Sequence, residues 1–251
     1  MGETVYEHDL EVVADGEALA RKAAGYVTRI AGEAIAARGQ FTIGLPGGST
    51  PRALFRRLAS PAWASRIDWA RVHVFWGDER CVPPEHAESN YRLARETLLD
   101  RVPLPPEHSH RIAGELAPAE AAQRYEAELR VFFAGGEPET PQPRLDLLLL
   151  GMGDDGHTAS LFPGTAALHE TARWAVENYV PRLDSWRVTL TVPAINAAAH
   201  VLFLVSGAAK AEMLRAVLHG PRQPEIYPAQ LVRPQAGRLL WLVDRAATTR
   251  L

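Results

Sequence analysis

A single cysteine, Cys81, occurs among the 251 residues. One thiol excludes an intramolecular disulfide and suits a reducing compartment, so a cytoplasmic protein is expected. Long hydrophobic runs are also missing. The longest, Leu145 to Gly151 around Asp146, falls far short of the ~20 residues that a helix needs to cross a bilayer. The opening residues, Met-Gly-Glu-Thr-Val-Tyr-Glu-His-Asp, are acidic and carry no apolar signal-peptide core. Neither charge dominates: 27 Lys and Arg against 30 Asp and Glu leave a formal net charge of −3. That balance offers no electrostatic footprint for nucleic acid or an anionic membrane, so any anionic ligand must be held locally. Lysine is scarce, because only Lys22 and Lys210 among the basic residues are not arginine. Lys22 lies in an amphipathic helical stretch and is expected to be merely solvated. No internal repeat or low-complexity tract interrupts the chain.

The 47% hydrophobic and 23% charged residues suit a globular chain. The length is near the upper end for one domain, so a single domain over residues 1–251 is expected. An Ala-rich helix is read at 16–38. Short apolar runs then alternate with helical stretches: Phe41–Leu45, Val72–Trp76, Leu145–Leu150, Trp174–Val180, Val188–Val192, Val201–Val205 and Leu239–Val243. Several are apolar on both faces, which predicts a mainly parallel sheet covered by helices on both sides. Helices are read near 50–59, 90–100, 118–133 and 208–218, and the proline-rich stretch 135–144 is read as a surface loop. The expected fold class is therefore α/β, a single open, doubly wound sheet with helices on both faces.

In open parallel sheets, ligands bind at the carboxyl ends of the strands, and the chemically informative residues do follow the apolar runs. After Phe41–Leu45 comes Pro46-Gly47-Gly48-Ser49-Thr50-Pro51. Its glycines permit close backbone approach, Ser49 or Thr50 is suited to cap a helix, and Pro51 is suited to the first helical position. Free N–H groups beside two hydroxyls form a phosphate cradle, although taken alone the turn reads more readily as a plain tight turn with a capped helix. After Val72–Trp76 comes Gly77-Asp78-Glu79-Arg80-Cys81, either a solvated Asp–Arg loop or a set of functional charges. Cys81 has no base at a recognisable spacing and is read as a small, partly buried residue, not a nucleophile.

After Leu145–Leu150 comes Gly151-Met152-Gly153-Asp154-Asp155-Gly156-His157-Thr158-Ala159-Ser160-Leu161-Phe162-Pro163. Three glycines make a tight loop that delivers two carboxylates and an imidazole to the mouth of the sheet. An Asp that accepts the ring N–H fixes the His tautomer and makes the other nitrogen a better base. No second His or Cys set has ligand spacing, so a metal is not expected. After Val201–Val205, Ser206-Gly207 leads to Lys210 in the first turn of a helix, where the macrodipole disfavours a cation. An anionic partner such as phosphate explains that placement.

Taken in order, these loops resemble the 6-phosphogluconolactonases, whose fold is shared with glucosamine-6-phosphate isomerases/deaminases. The pieces are 44–51, Trp76-Gly77-Asp78-Glu79-Arg80, Ser89-Asn90-Tyr91, 150–164, Arg187-Val188-Thr189-Leu190-Thr191, Ser206-Gly207 with Lys210, and Pro228-Ala229. The resemblance implies that His157 activates water against a lactone carbonyl and that Arg80 stabilises the oxyanion or steadies the substrate. Asp78 and Asp155 would orient sugar hydroxyls or the base. Gly47, Gly48, Ser49, Thr50 and Lys210 would hold the substrate phosphate. Family members commonly carry Lys-Pro-Pro-Pro before the Arg187 run; here Pro181-Arg182-Leu183-Asp184-Ser185-Trp186 stands there, which leaves the second phosphate cation open between Arg182 and Arg187. The implied partner is a small-molecule sugar-phosphate lactone, with no cofactor, no metal, no nucleic acid and no membrane, in a monomer or weak homo-oligomer. Two other readings are a glucosamine-6-phosphate deaminase/isomerase and a non-catalytic sugar-phosphate sensor. Phe162, where deaminases have a Glu that assists the His, and Arg80, where they usually have an uncharged residue, favour lactone hydrolysis. The absence of a basic recognition helix disfavours the sensor.

Overall fold

The computed structural model describes residues 9–134 and 143–251. Most of the proline-rich stretch 135–144 lies outside the described residues, as does the acidic start of the chain. Strand β1 (Asp9–Val13) leads into helix α1 (Gly16–Arg38). Asp15 caps α1 by accepting the Ala18 N–H at 2.8 Å, and Gly39, at φ 77, ends it in the left-handed region. The buried face of α1 carries Leu19, Ala23, Val27, Ile30 and Ala34, one helical stripe against the sheet. Lys22 does more than face solvent: its Nζ pairs with Glu11 of β1 at 2.6 Å.

The remaining strands of the main sheet are β2 (Phe41–Leu45), β3 (Val72–Trp76), β5 (Leu147–Leu150), β8 (His200–Val205) and β9 (Arg238–Asp244). They run in the order β1-β9-β8-β5-β2-β3, and every pair is parallel. β2 and β5 are buried along their whole length, as strands covered on both faces must be. The helical layers are α1, α2 (Ser49–Leu58), α3 (Pro61–Ala64), α4 (Asn90–Thr97), α5 (Pro118–Phe133), α6 (Val192–Asn196) and α7 (Ala211–His219). Among the described residues, no helix is long and apolar enough to cross a membrane.

The mainly parallel α/β fold is the one expected, with a difference in detail. The runs near 174–180 and 188–192 do not enter the main sheet. They form β6 (Ala175–Val180) and β7 (Ser185–Leu190), which join a short strand β4 (Asp78–Arg80) in a separate antiparallel sheet of order β4-β7-β6. Only residues 181–184 connect β6 to β7, with Asp184 at φ 44. A parallel return needs a crossover of a dozen residues or more, so so short a link can only make a hairpin. Neither β1 nor β4 is foreseen by the apolar runs: β1 is a half-exposed edge strand, and β4 is three charged residues.

This topology places the chemistry. β8, β5, β2 and β3 are consecutive neighbours, so the loops after them open at one edge of the sheet. Helix α2, which follows β2, also packs against β8 and draws the outer loops together.

Candidate active site

The loop after β5 presents His157. Its ring Nδ1 lies 2.5 Å from Asp155 Oδ1, and its backbone N–H donates to the same oxygen at 3.2 Å. Burial raises the Asp155 pKa, but the His157 hydrogen bond and then the charge of Arg182 prevail and hold it at about 2. Asp155 is therefore ionised at neutral pH and can only accept. The proton must sit on Nδ1, which leaves the Nε2 lone pair as the base. Phe162 stacks on the imidazole with ring centroids 4.0 Å apart. Gly153 makes room for the pair, since a β-carbon there would lie 2.0 Å from His157 Nδ1. Gly156, at φ 79, completes the turn.

Two cations reach this loop from elsewhere. Lys210 Nζ pairs with Asp154 Oδ1 at 2.5 Å, and Arg182 Nη1 pairs with Asp155 Oδ2 at 2.8 Å. Adjacent carboxylates thus hold one basic side chain each. Lys210 sits at the end of a 3-10 turn (Ala208–Lys210) as the N-cap of α7. Gly207, at φ 99, starts that turn, and its N–H and the Ser206 hydroxyl both donate to Asp244.

Asp78 and Arg80 stand on β4, which touches the His157 loop through Ser160. Asp78 and Glu79 are both buried, so the stretch is not a solvated loop and Asp78 makes no ion pair with Arg80. Asp78 Oδ2 accepts from Ser160 Oγ at 2.7 Å, and Asp78 Oδ1 accepts from Asn90 Nδ2 at 3.2 Å. Glu79 gathers the backbone N–H groups of Arg80, Asn90 and Tyr91 and the Ser89 hydroxyl, which docks the start of α4. Burial raises the Glu79 pKa against those hydrogen bonds. Arg80 stands directly opposite Arg187 in the β4–β7 register. Arg187 is 8% exposed, and burial followed by the facing Arg80 charge pushes its guanidinium below its ordinary pKa. Arg80 Nη1 donates to the Glu88 carbonyl at 2.5 Å, yet the buried Nε atoms of both arginines have no hydrogen-bond partner among the described residues. The Asp78 and Glu88 carboxylates act on Arg187 only as nearby charges, and neither arginine makes an ion pair among the described residues, which favours an anion between the two guanidinium groups.

The cradle after β2 differs from the expected capping. Helix α2 begins at Ser49, its N-cap is Gly48 at φ 107, and no side chain caps it. Pro51 is the third helical residue, not the first. Ser49 and Thr50 are spared from capping, and the first-turn N–H groups stay open to a ligand. Cys81 is half-buried with its thiol pushed by burial up to about 11, as befits an inert residue.

The structure brings Asp155, His157, Arg182 and Lys210 into one linked group. Asp78, Arg80 and Arg187 form a second, joined to the first through Ser160, three residues after His157. Sequence reasoning missed Glu79, Ser160 and Phe162 as supports, and gave Asn90 no role. Among the described residues, no group of three or more His, Cys, Asp or Glu is placed to hold a metal ion.

Residues 14–241 match the family of glucosamine-6-phosphate isomerases/6-phosphogluconolactonase. The chain is 43% identical over 244 residues to a 6-phosphogluconolactonase of Nostoc sp., covering 96% of this chain and 98% of that one. It is 40% identical over 243 residues to a probable chloroplastic 6-phosphogluconolactonase of Oryza sativa subsp. indica, covering 94% and 73%. Among solved structures, 6-phosphogluconolactonase from Trypanosoma cruzi superposes with a TM-score of 0.86 at 27% identity over 99% of this chain and 98% of that one.

Proposed function

Because the chain belongs to the family of glucosamine-6-phosphate isomerases/6-phosphogluconolactonase, we propose that it hydrolyses 6-phospho-D-glucono-1,5-lactone to 6-phospho-D-gluconate, the second step of the oxidative pentose phosphate pathway. The observation that carries this reading is the Asp155–His157 pair at the sheet edge, with Lys210 and Arg182 joined to the same loop. His157 Nε2 takes a proton from water as the oxygen attacks the lactone carbonyl carbon. The tetrahedral oxyanion collapses, the bond from that carbon to the ring oxygen breaks, and the proton passes from His157 to the departing hydroxyl. Arg80 faces the developing oxyanion, backed by Arg187; a fixed cation is most effective where charge accumulates. Asp155 holds the ring orientation, and Asp78 anchors the loop through Ser160.

The phosphate sits on Gly47, Gly48, Ser49 and Thr50, with Lys210 and Arg182 as its cations. Arg182 suits this role better than Arg187, because its side chain is half-exposed and ends on the loop that also holds Lys210, whereas Arg187 is buried against Arg80. Phosphate binding energy far from the reacting carbon is used to place the carbonyl at the base. The chain acts as one catalytic domain, a monomer or weak homo-oligomer. Its single cysteine suits the cytoplasm, although the rice relative is named chloroplastic.

The test is a coupled assay on freshly made lactone, corrected for spontaneous hydrolysis. Turnover above background is expected, and His157→Ala should lower it by roughly 10²–10⁴-fold. Ammonia release from glucosamine 6-phosphate, or 6-phosphogluconate binding without lactone turnover, would overturn the assignment.

A further inference from the structure

Asn90 is 2% exposed and opens helix α4, yet its amide serves no helical purpose. Ser89 is the N-cap and accepts the Arg92 N–H at 3.1 Å, while Glu79 takes the N–H groups of Asn90 and Tyr91. The Asn90 side chain turns instead toward the site. Its Nδ2 donates to the Asp78 carbonyl at 2.9 Å and to Asp78 Oδ1 at 3.2 Å, so it pins both the main chain and the side chain of one residue. Its other end fills the space beside Gly47: a β-carbon there would lie 1.9 Å from Asn90 Oδ1 and 2.6 Å from its Cγ. Asp78 in turn holds Ser160, whose N–H donates to Thr189 Oγ1 and whose carbonyl accepts from Asn178. Between Ser160 and His157, Ala159 adopts φ 48, a left-handed conformation that a residue with a β-carbon keeps only when anchored on both sides. One chain of direct contacts therefore runs from Gly47 through Asn90, Asp78 and Ser160 to the loop of the base.

We infer that Asn90 is a positioning residue that sets the spacing between the turn at Gly47 and the loop carrying His157, and that position 47 has no side chain because the Asn90 amide occupies its place. The link to catalysis rests on the lactonase reading; the link between Gly47 and Asn90 does not. A buried amide that couples two loops is read out in kcat and in anion affinity, not only in stability, since misplacing reacting groups by about 1 Å costs ~10²-fold.

The experiment compares wild type, Asn90→Ala, Gly47→Ala and the double variant as full-length proteins, measuring melting temperature, kcat, KM and inorganic phosphate affinity by calorimetry. Folded Asn90→Ala is expected to lose at least tenfold in kcat, and Gly47→Ala to lose a similar factor because its β-carbon displaces the amide. The double variant is expected to lose no more than the worse single, since Asn90→Ala vacates the space that the new methyl enters. Phosphate affinity should follow the same non-additive pattern, with at least fivefold weakening in each single variant. Should Asn90→Ala be unfolded at the assay temperature, Asn90→Ser, which keeps a short donor, is measured in its place under the same criteria. Single-variant kcat and phosphate affinity within twofold of wild type, or losses that multiply in the double variant, would overturn the inference. A wild type without lactone turnover would instead overturn the lactonase reading, and the phosphate measurements alone would then decide the role of Asn90.

Discussion

Gly153→Ala should separate activity from stability. A β-carbon at 153 would lie 2.0 Å from Nδ1 and 2.1 Å from Cε1 of His157, and 2.6 Å from Asp155 Oδ1. Ordinary contact begins near 3.4 Å, so the ring must retreat by about 1.4 Å, which is 3.4 minus 2.0. The backbone at 153 is not in the left-handed region, so alanine adds no strain of its own. The ring is one-quarter exposed and can swing outward off Phe162, which keeps the cost to folding small. The cost to catalysis is larger: a displacement of about 1 Å corresponds to ~10²-fold in rate, or ~2.7 kcal/mol of transition-state energy. A loss of that size in kcat/KM is expected with a melting temperature within a few degrees of wild type. Gly151→Ala is the control, because a β-carbon there meets nothing within 4 Å. The coupled lactone assay and thermal melting on the three proteins decide the matter. A Gly153→Ala enzyme within threefold of wild type, or equal damage in Gly151→Ala, would refute this geometry of the base.

The remaining predictions concern charge. Lys210→Ala should raise KM about tenfold with little change in kcat. Asp154→Asn should do the reverse, tightening inorganic phosphate inhibition by about 1.4–5-fold, because an exposed ion pair contributes ~0.2–1 kcal/mol that the ligand must displace; unchanged constants in steady-state kinetics would remove Lys210 from the phosphate site. Glu79→Gln keeps the shape but sets an N–H₂ against N–H donors, and should cost ~1–3 kcal/mol in denaturant unfolding, even though it relieves a buried charge. Away from the site, burial and then the charges of His108 and His110 lower the His73 pKa from 6.5 to about 4. A depressed imidazole favours the neutral form in the fold, so the unfolded chain takes up the proton first. Stability should fall as pH drops from about 6.5 to about 4, and His73→Asn should flatten that decline in pH-resolved unfolding; an unchanged slope would place the effect elsewhere.

What could be read from residue order alone was local. Apolar runs such as Leu147–Leu150 and Val201–Val205 announced buried parallel strands, and glycine followed by Asp and His announced a tight loop at their carboxyl ends. The contact between Asp155 and His157 was legible too, because two residues in one turn cannot lie far apart. Decisions that depend on which side of the sheet a distant segment reaches were not legible. Residues 78–80 look like a solvated loop until β7 pairs with them, and 175–190 look like central strands until a four-residue link folds them into a hairpin. The opposition of Arg80 and Arg187, the capture of Arg182 by Asp155 and the filling of the Gly47 space by Asn90 all join segments dozens of residues apart. Short-range pattern carries backbone conformation and burial, but the pairing of charges and the filling of space are set by tertiary register, which composition and periodicity do not encode.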